Sequence, residues 1–260
     1  MSLKTLTSRD NPAYQEILAL AGESKTRRKS GRTVLDGPHL LESALQAGHR
    51  PRRLALSESA LRGSLAEWIQ RLPDVPALGL PDRLFAALSP VDSPVGLVSL
   101  IDIPRPAPRS ARLVVLLERV QDPGNLGALI RVAAAAGVQA LHLSKGCAEA
   151  WSPKCLRGGQ GAHFLVDIHE EANLPDLART FAGPIHAASL GAPASLYELD
   201  LRGALGFAFG NEGAGLSEEL QAATRPFSIP MPGRVESLNV ATAAAVCLFE
   251  RVRQVGITAP

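Results

Sequence analysis

Three glycine-punctuated segments in the second half of this 260-residue chain collect polar side chains where apolar runs end. The first is Gln121-Asp-Pro-Gly-Asn-Leu-Gly-Ala-Leu-Ile-Arg131, which follows the apolar run Leu113–Leu117. Gly124 and Gly127 allow a tight turn, and a helix starting there offers unpaired N–H groups to an anion. Asn125 lies in the turn. Arg131 falls about one and a half helical turns later, where a guanidinium reaches phosphate or ribose oxygens. The second segment, Phe209-Gly-Asn-Glu-Gly-Ala-Gly-Leu-Ser217, sets Asn211 and Glu212 among three glycines, which let a backbone approach a ligand closely. The third, Ile229-Pro-Met-Pro-Gly-Arg-Val-Glu-Ser-Leu-Asn239, leads into a helix of small residues. Ser237 is of a type that caps such a helix, whereas Asn239 in an apolar first turn needs another reason to be there. Neither a dinucleotide fingerprint (G-x-G-x-x-G) nor a phosphate loop (G-x-x-x-x-G-K-[ST]) occurs in the first segment, which argues against both of those nucleotide sites.

The elements that position these residues alternate. Leu113–Leu117, Ala140–Leu143, Phe164–Ile168, Ile185–Ala188, Gly206–Phe209 and Phe227–Ile229 read as strands separated by helical patterns. Continuous apolar strands alternating with helices predict an α/β fold with a parallel sheet covered on both faces. Ligand chemistry then belongs at the strand ends, where all three segments fall. The last helix, about Leu238–Arg253, presents Val240, Ala244, Leu248 and Val252 on one face. Ala241, Ala243, Ala244 and Ala245 permit a close helix–helix contact, within the chain or with another copy. Upstream, prolines alternate in Ile103-Pro-Arg-Pro-Ala-Pro-Arg-Ser110, and a chain with fixed φ and few donors reads as a linker. The expected organisation is a basic arm (1–30), a small α/β domain (31–103), the linker (104–110) and a larger domain (111–260). Within the small domain, Thr33–Leu35, Arg53–Leu56 and Gly96–Ile101 read as strands.

Charge is uneven. Residues 1–110 carry 15 Lys/Arg against 11 Asp/Glu, and residues 111–260 carry 12 against 14. A polyanion is therefore expected to meet the first part, at the cluster Lys25, Arg27, Arg28, Lys29 and Arg32; a solvated surface turn is the competing reading. Aromatics are only 4% of the chain, which argues against extensive base stacking. Three cysteines without a C-x-x-C pair, and histidines without metal-ligand spacing, predict neither a disulfide framework nor a metal site. The start lacks the order of a signal peptide, and no long apolar run predicts a membrane span, so a cytoplasmic location is expected.

Taken together, Asn125 with Arg131, Gly210-Asn211-Glu212-Gly213, and Ile229-Pro-Met231 followed by Ser237-Leu-Asn239 resemble the SpoU (TrmH-type) class of SPOUT RNA methyltransferases over about residues 112–253. Residues 33–101 look like the small RNA-binding domain often attached to such enzymes. Ser152-Pro-Lys-Cys-Leu-Arg-Gly-Gly-Gln-Gly161 resembles another family segment. It departs from it at Gly158 and Gly159, which predicts a more mobile loop.

The resemblance implies a trefoil knot and a homodimer through the knot helices. It implies S-adenosyl-L-methionine held at Leu190, Gly191, Gly210, Ile229, Met231 and Leu238. Its reaction is 2′-O-ribose methylation of RNA, with ribosomal RNA of 23S type favoured over transfer RNA and guanosine as a candidate acceptor. Asn125, Arg131, Glu212, Ser237 and Asn239 become the catalytic set. The family account makes the position of Arg131 a base. Neutral guanidine is scarce near neutral pH, so stabilising a developing alkoxide is the easier role for it. The remaining polar residues would orient ribose and cofactor, and Glu212 would hold Arg131. Alternatives are a transfer RNA methyltransferase, an inactive RNA-binding assembly factor of the same fold, a base methyltransferase, and a nucleotide-dependent oxidoreductase.

Overall fold

The computed structural model describes residues 3–89, 94–106, 110–211 and 213–256. It comprises two units: residues 1–104 with 151–164, and residues 105–150 with 165–260.

The first unit is built on a mixed five-stranded sheet. Its elements are β1 (Leu3–Thr5), α1 (Pro12–Gly22), α2 (Ser24–Ser30), β2 (Arg32–Asp36), α3 (Pro38–Gln46), β3 (Arg53–Ser57), α4 (Glu58–Leu61), α5 (Glu67–Arg71), β4 (Ala77–Leu80), α6 (Asp82–Phe85) and β5 (Leu97–Asp102). The strand order is β1-β4-β3-β5-β2. Strand β4 runs parallel to β1 and β3, while β5 is antiparallel to β2 and β3. Residues 3–30, expected as an arm, supply β1, α1 and α2 of this unit. The reason is apolar burial: Tyr14, Ile17 and Leu20 of α1 enter the core beside Val34, Phe85 and Leu100, and the Tyr14 hydroxyl donates to the Leu84 carbonyl at 3.1 Å.

In the second unit every strand is parallel. In chain order come β6 (Leu113–Leu117), α7 (Pro123–Ala135) and β7 (Ala140–Leu143). Helix α8 (Pro153–Gly159) belongs to the first unit. Then follow β8 (Asp167–His169), α9 (Leu174–Thr180), β9 (Ile185–Ala188), β10 (Leu205–Phe209), α10 (Glu218–Ala222), β11 (Arg225–Phe227) and α11 (Val240–Val255). The sheet order is β11-β9-β10-β6-β7-β8, with Phe209 in register with Leu117. Val114 and Leu116 of β6 share a cluster with Leu174 and Ala178 of α9 and Leu220 of α10. The alternate side chains, Leu113, Val115 and Leu117, are buried as well, so both faces are covered. Helices α7 and α11 pack on each other, and α11 also meets β10.

Chain order reverses between β6 and β10, since β7 and β8 lie to one side and β9 and β11 to the other. Such a switch point opens a crevice outside the carboxyl ends of the strands. The segments after β6, β9 and β10 all leave the sheet at this edge.

Three sequence expectations change in detail. The last strand is Arg225–Phe227 rather than Phe227–Ile229. Phe164–Ile168 is not one strand: Ala162–Phe164 is a 3-10 turn and the strand starts at Asp167. Ser152–Gly161 is ordered as α8 rather than left as a loop. Ser152 caps it by accepting from Cys155 N at 3.3 Å, and Cys155, Leu156 and Gly159 are buried.

Candidate active site

Helix α7 starts where Asp122 accepts from Asn125 N at 2.7 Å, with Pro123 in its first turn. Helix α11 starts at Asn239, whose Oδ1 accepts from Ala241 N at 2.9 Å and Thr242 N at 3.3 Å. The remaining amide of Asn239 donates to Asn125 Oδ1 at 2.9 Å. Two helix N-termini, 114 residues apart in sequence, are thereby tied at one place. Each end presents a partial positive charge and N–H groups.

Beside them lies a cavity of about 370 Å³. Its walls come from three places: Ala188–Leu190 at the end of β9, residues 209–211 and 213–216 at the end of β10 and beyond, and Ile229, Met231, Ser237 and Leu238 leading into α11. Leu190, Gly210, Ile229, Met231 and Leu238, five of the six expected cofactor positions, line it together with Ser237. Gly191 is not among the lining residues; it follows Leu190 at φ 72°.

The loop after β10 is held by Asn211. Its Oδ1 accepts from Gly213 N at 2.9 Å and Ala214 N at 3.0 Å, and its Nδ2 donates to the Arg119 carbonyl at 3.0 Å. The backbones of Asn211 and Gly215 also pair across the loop. Glycine is required at position 210, because a Cβ there would stand 2.3 Å from the Gly215 carbonyl carbon. Below the loop, the buried Glu118 carboxylate accepts from Ser217 N at 2.6 Å and Ser217 Oγ at 2.7 Å. Both are charge-assisted bonds that fix where the loop returns to α10.

The catalytic set expected from sequence is only partly brought together. Asn125 and Asn239 meet. Ser237 lines the cavity and caps nothing; the cap is Asn239, because the helix begins one residue after it. Arg131 is exposed on α7, and its six-residue offset from Asn125 turns it by about 240° around the helix. Among the described residues, no hydrogen bond or ion pair joins it to the two asparagines. Glu212 lies outside the described residues, and with it the expected Glu212–Arg131 pair. Asn211, Glu118 and Ser217 were not singled out as site residues. For Asn211, its place between glycines at a strand end was the signal; for Glu118 nothing local marks it.

The basic cluster in the first unit divides. Lys25, Arg28 and Lys29 are exposed on α2. Arg27 is buried and donates to the Leu20 carbonyl at 2.6 Å, so it ties α2 to α1 rather than meeting solvent. Arg32 is held by Glu16 at 2.7 Å, and Glu16 also takes Arg53 at 2.8 Å.

No group of three or more His, Cys, Asp or Glu is placed to hold a metal among the described residues, and no helix among them is long and apolar enough to cross a membrane. Burial pushes the Cys147 thiol up and that of Cys247 up to about 12, so neither is a ready thiolate nucleophile.

Residues 112–249 match the SpoU rRNA Methylase family, and residues 3–99 match the MRM3-like substrate binding domain. The chain belongs to the SpoU rRNA methylase family. It is 33% identical to an uncharacterised tRNA/rRNA methyltransferase of Synechocystis over 97% of this chain and 94% of that one. It is also 33% identical to the 23S rRNA (guanosine(2553)-2′-O)-methyltransferase RlmP of Bacillus subtilis, over 86% of this chain and 90% of that one. Among solved structures, an AdoMet-bound rRNA methyltransferase from Sinorhizobium meliloti superposes with a TM-score of 0.83 at 28% identity, covering 98% of this chain and 99% of that one. The SpoU methyltransferase AviRb from Streptomyces viridochromogenes, in complex with AdoMet, gives 0.84 at 26% identity, with 94% and 98% covered. This SpoU chain thus has such likenesses along nearly its whole length.

Proposed function

We propose that this SpoU-family chain methylates a ribose 2′-hydroxyl of 23S-type ribosomal RNA, with guanosine as the acceptor nucleoside and S-adenosylmethionine as donor. The observation that carries the reading is the meeting of Asn125 and Asn239 beside a cavity lined by five of the six expected cofactor positions. The cavity suits the donor: it is partly apolar, and Gly210 lets the loop after β10 fold back tightly on Gly215, so that loop backbone forms part of the wall. Leu190, Ile229, Met231 and Leu238 would hold the adenine, with loop amides supplying specificity. S-adenosylmethionine supplies an electrophilic sulfonium methyl.

The chain's residues have two tasks. A ribose hydroxyl must lose its proton as it attacks, so a site must orient the ribose and favour the developing alkoxide. Asn125 and Asn239 orient, and the two helix N-termini lower the energy of negative charge near them. Arg131 adds a cation for phosphate or alkoxide.

The same reading includes a threaded C-terminal segment forming a trefoil knot, and a homodimer. Phe249 and Val255 of α11, 48% and 41% exposed, suit cover by a second copy. The first unit would deliver RNA through Lys25, Arg28 and Lys29, and the reaction would take place in the cytoplasm.

Nucleoside mass spectrometry of RNA from cells with and without the gene tests this. Loss of one 2′-O-methylguanosine from the large ribosomal RNA alone is expected. Loss from transfer RNA, or loss of a base-methylated nucleoside, would overturn the substrate; no change anywhere would favour an inactive binding factor.

A further inference from the structure

Arg119 has φ of 52°, one of three non-glycine residues described with positive φ. Gln160, at 50°, closes helix α8, where this conformation is common. Arg119 closes no helix. It stands between β6 and α7 at the carboxyl edge of the sheet, where a residue with a side chain bears a strain that glycine avoids.

The backbone is pinned from both sides. Arg119 N donates to Ser144 Oγ at 3.0 Å, and its carbonyl accepts from Asn211 Nδ2 at 3.0 Å. Asn211 lines the cavity, so Arg119 is one hydrogen bond from its wall. The side chain leaves this anchor past Gly146, where a Cβ would lie 3.5 Å from Arg119 Cγ. Arg119 is exposed, and no carboxylate among the described residues pairs with it. Exposed Lys145 is beside it, its carbonyl accepting from the same Ser144 Oγ at 3.1 Å. A rigid base and an unneutralised guanidinium thus stand one hydrogen bond from the cavity wall, with the exposed Lys145 following Ser144 in the chain.

We propose that Arg119 binds a backbone phosphate of the RNA next to the target ribose and sets the register of the strand over the cavity. The inference rests on the RNA methyltransferase reading above. A guanidinium forks two phosphate oxygens with defined orientation, and pinning both neighbouring peptide groups aims it before RNA arrives. The carboxylate of S-adenosylmethionine offers related chemistry, so the test separates the two anions.

The test compares the full-length protein with R119G and R119K. Binding to an unmodified 23S ribosomal RNA transcript is measured over a range of salt, with steady-state methyl transfer, cofactor calorimetry and thermal melting alongside. Glycine adopts this conformation freely, so R119G is expected to melt no lower than the parent. Its KM for the transcript should rise roughly tenfold with kcat little changed, and the log–log salt slope should fall by about one. R119K should keep the slope. Unchanged KM and slope in R119G would overturn the proposal, as would weaker cofactor binding with unchanged RNA binding. If the parent itself transfers no methyl group to RNA, the functional reading fails, yet the salt slopes still decide whether Arg119 meets phosphate.

Discussion

Asn239 does two things with one side chain: its oxygen caps α11, and its amide reaches Asn125 across the site. Asn125 bears no such cap, since Asp122 starts α7. The two asparagines can therefore be separated by substitution. Asn239→Ala is expected to lower folding stability by about 1 kcal/mol, the usual worth of a cap, whereas Asn125→Ala should lower it by less. Both should reduce methyl transfer more than tenfold if they orient the reacting groups. Urea unfolding and a transfer assay decide it; activity surviving in Asn125→Ala would remove the pair from the mechanism. The sequence made both asparagines legible as polar residues at strand ends. Their mutual hydrogen bond was not legible, because no local spacing relates positions 114 residues apart. Ser237 shows the converse: serine is a good cap by type, but the helix starts too late for it.

At the scale of elements, the apolar strands were the most readable part. Strands β6, β7 and β9 fall on the expected residues because a strand buried on both faces is mainly apolar, His142 in β7 and His186 in β9 being the exceptions. The shorter β1 was missed: its three residues are all exposed, and an edge strand without alternation carries no pattern. Helix α8 was missed because paired glycines weaken helix propensity, an effect here outweighed by the burial of Cys155 and Leu156.

The β7–β8 pair carries a pH dependence. His142 and His169 are partners in register and stack at 4.5 Å. Burial, and then the neighbouring His169, push His142 down from the usual histidine value to about 4. As pH falls, the unfolded chain takes up this proton first, near 6.5, while the folded chain resists until about 4. Stability should accordingly be full above pH 6.5 and drain away toward pH 4, with a loss of roughly 1–2 kcal/mol between pH 7.5 and 5 after allowing for partial solvation. Chemical denaturation at those two pH values measures it. His142→Gln should flatten this part of the profile; an unchanged slope in that variant would place the proton uptake elsewhere.

For the whole molecule, the two family matches divide the chain near residue 100, but folding does not divide there. The unit that contains residues 1–104 also contains residues 151–164. Trp151 is 4% exposed, and Cys155 and Leu156 are fully buried. The Thr33 hydroxyl, on β2, donates to the Trp151 carbonyl at 2.7 Å, and a Cβ on Gly161 would collide with Ser43 of α3. Sequence could not show this, since a segment inside the methylase match gives no sign that it packs elsewhere. Each large apolar side chain lost from a core removes about 1.5–3 kcal/mol, and a domain has only about 5–15 kcal/mol in total. A fragment of residues 1–104 is therefore expected to melt well below the full chain and with a broadened transition, followed by circular dichroism. Joining residues 151–164 to its end through a flexible glycine–serine linker should restore a sharp transition at higher temperature. Should the 1–104 fragment already melt sharply at the temperature of the fused form, the returning segment would be a passenger on that core rather than part of it.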